Sequence, residues 1–188
     1  MKIRPPDIHW GFSCFYVIAN FKTIMKLSWT SLKISIAGAK LSHLAQKDRI
    51  WDHGTMVEFV KIVFYQLQKI GNTGDEETIK KYLTIEGYKK LKNQMEKLMA
   101  SGKLPVIKNS KLKEACIIEV MPATKNHPDF FKALIKGYQV YNPGNEYTSV
   151  DIVIHDDIIH EFSEQWTFVR QGEWWLLDEI KTTKMFIT

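Results

Sequence analysis

The hydrophobic pattern of this 188-residue chain changes its period once, and that change restricts the folds that it can adopt. Between residues 51 and 100, apolar residues recur at helical spacing. One such stripe consists of Val57, Val60, Phe64, Leu67 and Ile70. After Pro105 the apolar residues form short runs rich in β-branched and aromatic types, separated by turn signals. Helices followed by strands predict an α+β domain in which helices cover one face of a curved antiparallel sheet.

The same pattern predicts the approximate bounds of the elements. The predicted helices cover residues 51–70, 75–83 and 86–100, and the predicted strands cover residues 116–120, 131–142, 150–154, 158–170 and 174–182. Gly71 and Gly102 are expected to end helices, because glycine readily adopts the backbone conformation that follows a helix. Gln171, Gly172 and Glu173 are expected to turn a hairpin between the last two strands.

Even-numbered residues of the late strands are expected to share one face of the sheet, because side chains alternate along a strand. Most of them are apolar, but Glu164 falls among them, and a buried carboxylate is costly unless it is paired. We expect it to pair with Arg170 or with a lysine of a neighbouring strand. The predicted lining of the core or of a pocket consists of Phe64, Phe162, Glu164, Trp166 and Phe168, and Trp51 is expected to join the core.

Charge is segregated along the chain. Its net value is +5 overall, but it is +6 over residues 1–47, −3 over 48–79, +8 over 80–113 and −6 over 114–188. Two strongly basic segments indicate a surface that meets an anionic partner, either lipid head groups or nucleic acid. Lysine-rich helix faces that are merely solvated would give the same pattern.

The first basic segment is predicted to be a long helix from Phe21 to Ile50, because it contains no proline and a single glycine. Trp29 and Ile36 flank its lysines on one side, and Leu41 lies on the other. The lysine stripe, which recurs mainly every seven residues, consists of Lys22, Lys26, Lys33, Lys40 and Lys47. Such a helix can lie on a membrane, with lysine ammonium groups reaching the phosphates and Trp29 beside them. Alternatively, it packs on its own domain or on a second copy.

These observations divide the chain into a basic, partly helical N-terminal extension (residues 1–50) and a domain (residues 51–188). The two cysteines, Cys14 and Cys116, lie far apart without metal-ligand spacing, and we expect unpaired thiols in a reducing compartment. No metal site and no cofactor are expected. His155 and His160 are five residues apart, so on a regular strand they would point to opposite faces.

The end of the chain resembles the Tim forty-four-like domain family. The resemblance is carried by two runs, 162–170 (FSEQWTFVR) and 172–180 (GEWWLLDEI), and more weakly by the aromatic-rich helix that contains Phe64-Tyr65-Gln66-Leu67-Gln68. It covers roughly residues 51–182. It implies a cone-shaped fold of the nuclear-transport-factor-two-like kind, with helices packed into a strongly bent sheet around an apolar pocket. It also implies association with anionic inner-membrane lipid, tethering of partner proteins, and a link to protein transport.

Two functions follow as hypotheses. The first is a non-enzymatic binding or tethering domain at the periphery of an inner membrane, in a cytoplasmic or matrix-like compartment. Its partners would be anionic lipid or a protein, with self-association through the N-terminal helix. Nucleic acid is disfavoured, because the lysine-rich stretches lack interleaved aromatic residues and RNA-binding motifs. The alternative is an isomerase or dehydratase that uses Glu164 and His160 for proton transfer.

Overall fold

The computed structural model describes residues 13–73, 76–100, 107–141 and 158–187, and the side chains of most of them. The helices are α1 (Ser13–Ala45), α2 (His53–Thr73), α3 (Glu76–Lys80) and α4 (Ile85–Ala100), with a 3-10 turn, Arg49–Trp51, between α1 and α2. The strands are β1 (Ile107–Met121), β2 (Phe130–Tyr141), β3 (Ile158–Gln171) and β4 (Trp174–Ile187). This arrangement confirms the predicted α+β class.

The four strands form one antiparallel sheet in the order β1-β2-β3-β4. The β3–β4 hairpin turns at Gly172 and Glu173, as predicted, and Gly172 has a φ of 64°, a conformation that glycine adopts without strain. Pairing between β2 and β3 is regular, whereas the register shifts three times between β1 and β2 and twice between β3 and β4. Such irregularities bend and twist the strands that carry them.

One face of the sheet is apolar and the other is polar. The core-facing residues of β2 and β3 include Phe131, Phe168 and Trp166, which are almost fully buried. On the opposite face Lys132 pairs with Glu119 across β1 and β2, with an N–O distance of 2.8 Å. The predicted alternation is therefore confirmed for the described part of β3, where Phe162, Trp166 and Phe168 are buried.

Helix α2 provides much of the core that covers the sheet. Its inward stripe, spaced by three and four residues, consists of Met56, Val60, Val63 and Phe64. Asp52 caps its N-terminus, because the Asp52 carboxylate accepts a hydrogen bond of 2.8 Å from the backbone N–H of Thr55. That hydrogen bond is also the main reason why the pKa of Asp52 is lowered.

Several predicted bounds were wrong. Helix α1 begins at Ser13 rather than Phe21 and ends at Ala45 rather than Ile50, so that Lys47 lies beyond it. Helix α2 continues past Gly71 to Thr73, and β1 begins at Ile107, nine residues before the predicted start at Cys116. The predicted strand 150–154 and the predicted stop at Gly102 lie outside the described residues.

Candidate functional site

The C-terminal part of α1 packs on the domain. Ala37 and Leu41, one helical turn apart, are almost fully buried in the same core as the sheet and α2. Leu44 and Ala45 pack against this core and are partly buried. Of the two arrangements left open for the first basic segment, packing on its own domain is therefore observed for this part of the helix.

Another side of α1 is exposed and apolar. Trp29, Leu32 and Ile36 follow one another at spacings of three and four residues, and their exposed fractions are 61%, 48% and 49%. At 100° per residue they point about 130° away from the line of Ala37 and Leu41. We call Trp29, Leu32 and Ile36 the outer stripe. Helix α1 is thus apolar on two different sides, and only one of them is covered by the domain.

Lysines border the outer stripe on one flank. Lys33 and Lys40 are exposed, and their positions on the helix lie next to Trp29 and Ile36. Lys22 and Lys26 belong to the same helix, but their side chains are not among those that the structure describes. Near the end of α1, an open groove of about 460 Å³ continues this exposed side. It is lined by Ala39, Lys40, His43, Leu44 and Pro122.

The helical part of the second basic segment, α4, lies elsewhere in the fold. Helix α1 packs along β1, whereas α4 contacts β4, at the other edge of the sheet. Between Glu86 and Lys97, every exposed side chain that the structure describes on α4 is polar or charged. Lysines of α1 and of α4 therefore lie at opposite edges of the sheet. Lys111 and Lys113, also in the second segment, are exposed on β1, which α1 contacts, so a surface shared by the two basic segments stays a prediction.

The predicted lining residues come together in the core. Phe64 stacks on Phe162 with ring centroids 6.0 Å apart, and its ring lies 6.1 Å from that of Trp166. Phe168 stacks on Phe131 at 4.7 Å, and Trp51 meets Trp175 edge to face at 4.9 Å. The core role that the sequence predicted for Trp51, Phe64 and Trp166 is confirmed. These side chains line neither the groove at the end of α1 nor the cleft between α4 and β4.

Glu164 lies on the core face, but its partner differs from the predicted one. Its Oε2 accepts a hydrogen bond of 2.8 Å from the indole N–H of Trp166. Arg170 instead pairs with Asp48 and Asp129. Burial raises the pKa of Glu164, and the indole hydrogen bond opposes that shift only in part. The side chain of His160 is outside the description, so the catalytic alternative stays a prediction.

A cleft of about 260 Å³ lies between parts of α4 and β4. Next to it, Thr84 holds the two elements together, since its hydroxyl donates to Asp178 at 2.6 Å and accepts from the backbone N–H of Gly87 at 2.9 Å. Lys90 adds an ion pair to Asp178 at 3.2 Å. Asp178 therefore has hydrogen-bond and ion-pair partners within the protein. The residues beside this cleft connect α4 to β4.

Other chemistry is limited in the described part of the chain. Cys116 is a free, half-buried thiol that donates to Glu114, and burial, with a further contribution from Glu114, raises its pKa to about 12. Such a thiol is a poor nucleophile. Within the described residues, no cluster of three or more histidine, cysteine or acidic side chains could hold a metal ion, and no helix is long and apolar enough to cross a membrane.

Comparison of the chain with protein-family models, with curated proteins and with solved structures found no match. The resemblance to the Tim forty-four-like family therefore stays a prediction from the sequence. The site must be judged on its geometry, and its distinctive feature is the outer stripe of α1 with its lysine flank.

Proposed function

We propose that this protein is a non-enzymatic binding domain that attaches to anionic membrane surfaces through the outer stripe of α1. The observation that carries the proposal is the exposure of Trp29, Leu32 and Ile36 on the side of α1 that faces away from the core. A helix with a row of large apolar residues beside lysines lies naturally in the interface between water and acyl chains. Tryptophan is enriched in that layer, and lysine stems extend from it to the phosphates.

The expected strength is that of a reversible attachment. Fully burying an exposed large apolar side chain contributes about 2 kcal/mol. Each of the three stripe residues is already about half buried, so membrane contact can add about half of that value for Leu32 and Ile36 and somewhat more for the larger Trp29. Together they supply about 4 kcal/mol, and Lys33 and Lys40 near an anionic surface add about 1 kcal/mol each. A total of about 6 kcal/mol corresponds to a dissociation constant of tens of micromolar before the costs of association.

The finer description of the fold is part of the proposal. We infer a cone of the nuclear-transport-factor-two-like kind, related to the Tim forty-four-like domains. It is supported by helices before strands, by a single four-stranded antiparallel sheet, and by the register shifts that bend its two edge strands. The resemblance extends the proposal to tethering of partner proteins at an inner membrane, in a process linked to protein transport.

The proposal is tested by co-sedimentation with two kinds of vesicle in separate experiments. One kind contains an anionic phospholipid, and the other contains only neutral lipid. The test variant is Trp29→Ala/Ile36→Ala. The matched control is Trp174→Ala/Ile62→Ala, which removes the same two residue types from positions that are 70% and 48% exposed. We expect binding that requires the anionic lipid, at least a tenfold loss of affinity for the test variant, and no loss for the control. Equal losses in both variants, or binding that ignores lipid charge, would contradict the proposal.

A further inference from the structure

A single arginine connects the end of α1 to the sheet. Arg170 lies near the end of β3, and its Nη1 donates to the Asp48 carboxylate at 2.6 Å and to the Asp129 carboxylate at 3.1 Å. Its Nε donates to the carbonyl oxygen of Gly172 at 2.8 Å. The guanidinium thus joins the α1–α2 junction, the β1–β2 loop and the β3–β4 turn. An isolated pair at a surface has little effect, but a planar fork that holds several acceptors at once has a defined geometry.

Asp48 is the member of this cluster that belongs to the helix junction. Its backbone N–H bonds the Leu44 carbonyl oxygen at 3.0 Å and so closes the last turn of α1. One oxygen of its side chain accepts from the backbone N–H of Ile50 at 3.1 Å, which caps the 3-10 turn, and the other meets Arg170. The Ile50 hydrogen bond and then Arg170 lower the pKa of Asp48, since both stabilise the ionised carboxylate.

The partner strand holds the same junction at a second point. Trp175 lies opposite Arg170 across the β3–β4 hairpin. Its indole N–H donates to the carbonyl oxygen of Ile50 at 3.1 Å, and its ring packs against Trp51. Arg170 and Trp175, which pair across one hairpin, therefore bond to the residue that caps the 3-10 turn and to a residue within it. The core contacts of α1 all lie on one side of the helix and come from Ala37, Leu41, Leu44 and Ala45. The contacts at the 3-10 turn hold the end of the helix at a further point.

We infer that Arg170 is a positioning residue, which fixes the rotation of α1 through Asp48 and so keeps the outer stripe turned away from the domain. This inference rests on the proposed function of the stripe. A helix that is held in its binding orientation loses no affinity to other orientations, whereas a loosened helix binds only during the fraction of time that it is correctly turned. The β3–β4 hairpin would thus set the membrane affinity of a surface that it does not itself form.

The two carboxylates on Arg170 offer a matched test, because only Asp48 belongs to the α1 junction. Asp48→Asn keeps an oxygen that can cap the 3-10 turn but removes the charge that meets Arg170. Asp129→Asn removes the other charge and keeps an oxygen for the backbone N–H of Ala123, which Asp129 accepts at 2.5 Å. Vesicle binding is measured for both, together with hydrogen exchange at the backbone N–H groups of Lys47 and Asp48, which both bond Leu44.

We expect Asp48→Asn to weaken binding to anionic vesicles roughly threefold to tenfold and to speed exchange at both amides. Asp129→Asn should stay within about twofold of the unaltered chain on both measures. Arg170→Lys, which cannot reproduce the planar fork, should fall between Asp48→Asn and the unaltered chain. Equal effects of the two Asp→Asn variants, or unchanged binding in Asp48→Asn, would overturn the inference. Failure of the unaltered chain to bind anionic vesicles would instead remove the proposed function on which the inference rests.

Discussion

The two lysine-rich helices of this protein lie at opposite edges of one sheet and differ in what they expose. Helix α1 packs along β1 and presents Trp29, Leu32 and Ile36 to solvent beside its lysines. Helix α4 lies against β4, and its described exposed side chains from Glu86 to Lys97 are all polar or charged. Two segments with similar charge therefore have different surfaces.

This difference shows that positive charge alone does not define the proposed membrane contact. Lysines near an anionic surface contribute about 1 kcal/mol each wherever they are, but the attraction is screened by salt and lacks an anchor. Among the described residues, α1 combines lysines with a row of three exposed large apolar side chains, whereas α4 exposes one such residue, Ile85 at its first position. Helix α4 has instead the features of a structural element, since Thr84 and Lys90 fasten it to Asp178.

Charge reversal on each helix should produce the largest difference in vesicle affinity between an α1 variant and an α4 variant. Lys33→Glu/Lys40→Glu and Lys92→Glu/Lys97→Glu change the net charge of the protein by the same amount, and all four lysines are exposed. We expect the α1 variant to lose at least about 2 kcal/mol of vesicle binding, which is about 30-fold in affinity. The α4 variant should lose much less. Titration of both variants with anionic vesicles at two salt concentrations measures the difference, and equal losses would show that only net charge matters.

The same glycine-to-alanine change should have opposite signs in the two helices. A methyl group at Gly87 of α4 would lie 2.4 Å from the carbonyl oxygen of Leu177, so the helix must move, at a cost of about 2 kcal/mol. Gly38 of α1 has no atom within 4 Å of that position, and alanine there should stabilise the helix by about 0.7 kcal/mol. Denaturant unfolding of Gly87→Ala and Gly38→Ala checks both signs. A stable Gly87→Ala would mean that α4 does not approach β4 this closely.

A smaller effect than at Gly87 is expected at Glu164, on the core face between the two edges of the sheet. Because its pKa is raised on folding, the folded state is penalised as the pH rises from the unfolded value of about 4.3 through the folded value. Glu164→Gln removes this penalty and keeps an oxygen for the Trp166 indole. It should stabilise the protein at pH 7, on the order of 1 kcal/mol, and have no such effect below about pH 4.

The measurement is denaturant unfolding at several pH values. Glu161→Gln, at an exposed position of the same strand, is the control and should show no such gain. A Glu164→Gln variant that is less stable than the unaltered chain at pH 7 would show that the charged carboxylate has a stabilising partner beyond Trp166.

Periodicity predicted the elements whose two faces differ most. Val60 and Phe64 of α2 and the core-facing residues of β3 were found because apolar residues there recur at regular spacing, whereas the buried Met56 was missed. The beginning of β1 was missed, since its polar residues and its register shifts hide the alternation. Gly71 did not end α2, which shows that a glycine permits a helix end without requiring one.

The site was predicted only in part, because spacing along a helix does not show which face is covered. The sequence placed Trp29 and Ile36 beside the lysines and Leu41 on the other flank, but the coordinates were needed to show that the Leu41 side is buried. Glu164 was expected to pair with Arg170, six residues away, or with a lysine of a neighbouring strand. The partners of Arg170 in the structure, Asp48 and Asp129, are 122 and 41 residues distant in the chain, a pairing that only the fold creates.

Whether α1 enters the membrane interface and α4 does not can be measured with a polarity-sensitive fluorophore on each helix. Both native cysteines are replaced by serine, and a single cysteine is introduced as Ile36→Cys in one protein and as Lys92→Cys in the other. With anionic vesicles, we expect a blue shift and protection from aqueous quenchers for the probe at position 36. We expect no change for the probe at position 92. A probe at position 36 that stays in water while the protein co-sediments with the vesicles would contradict the claim that α1 is the membrane contact.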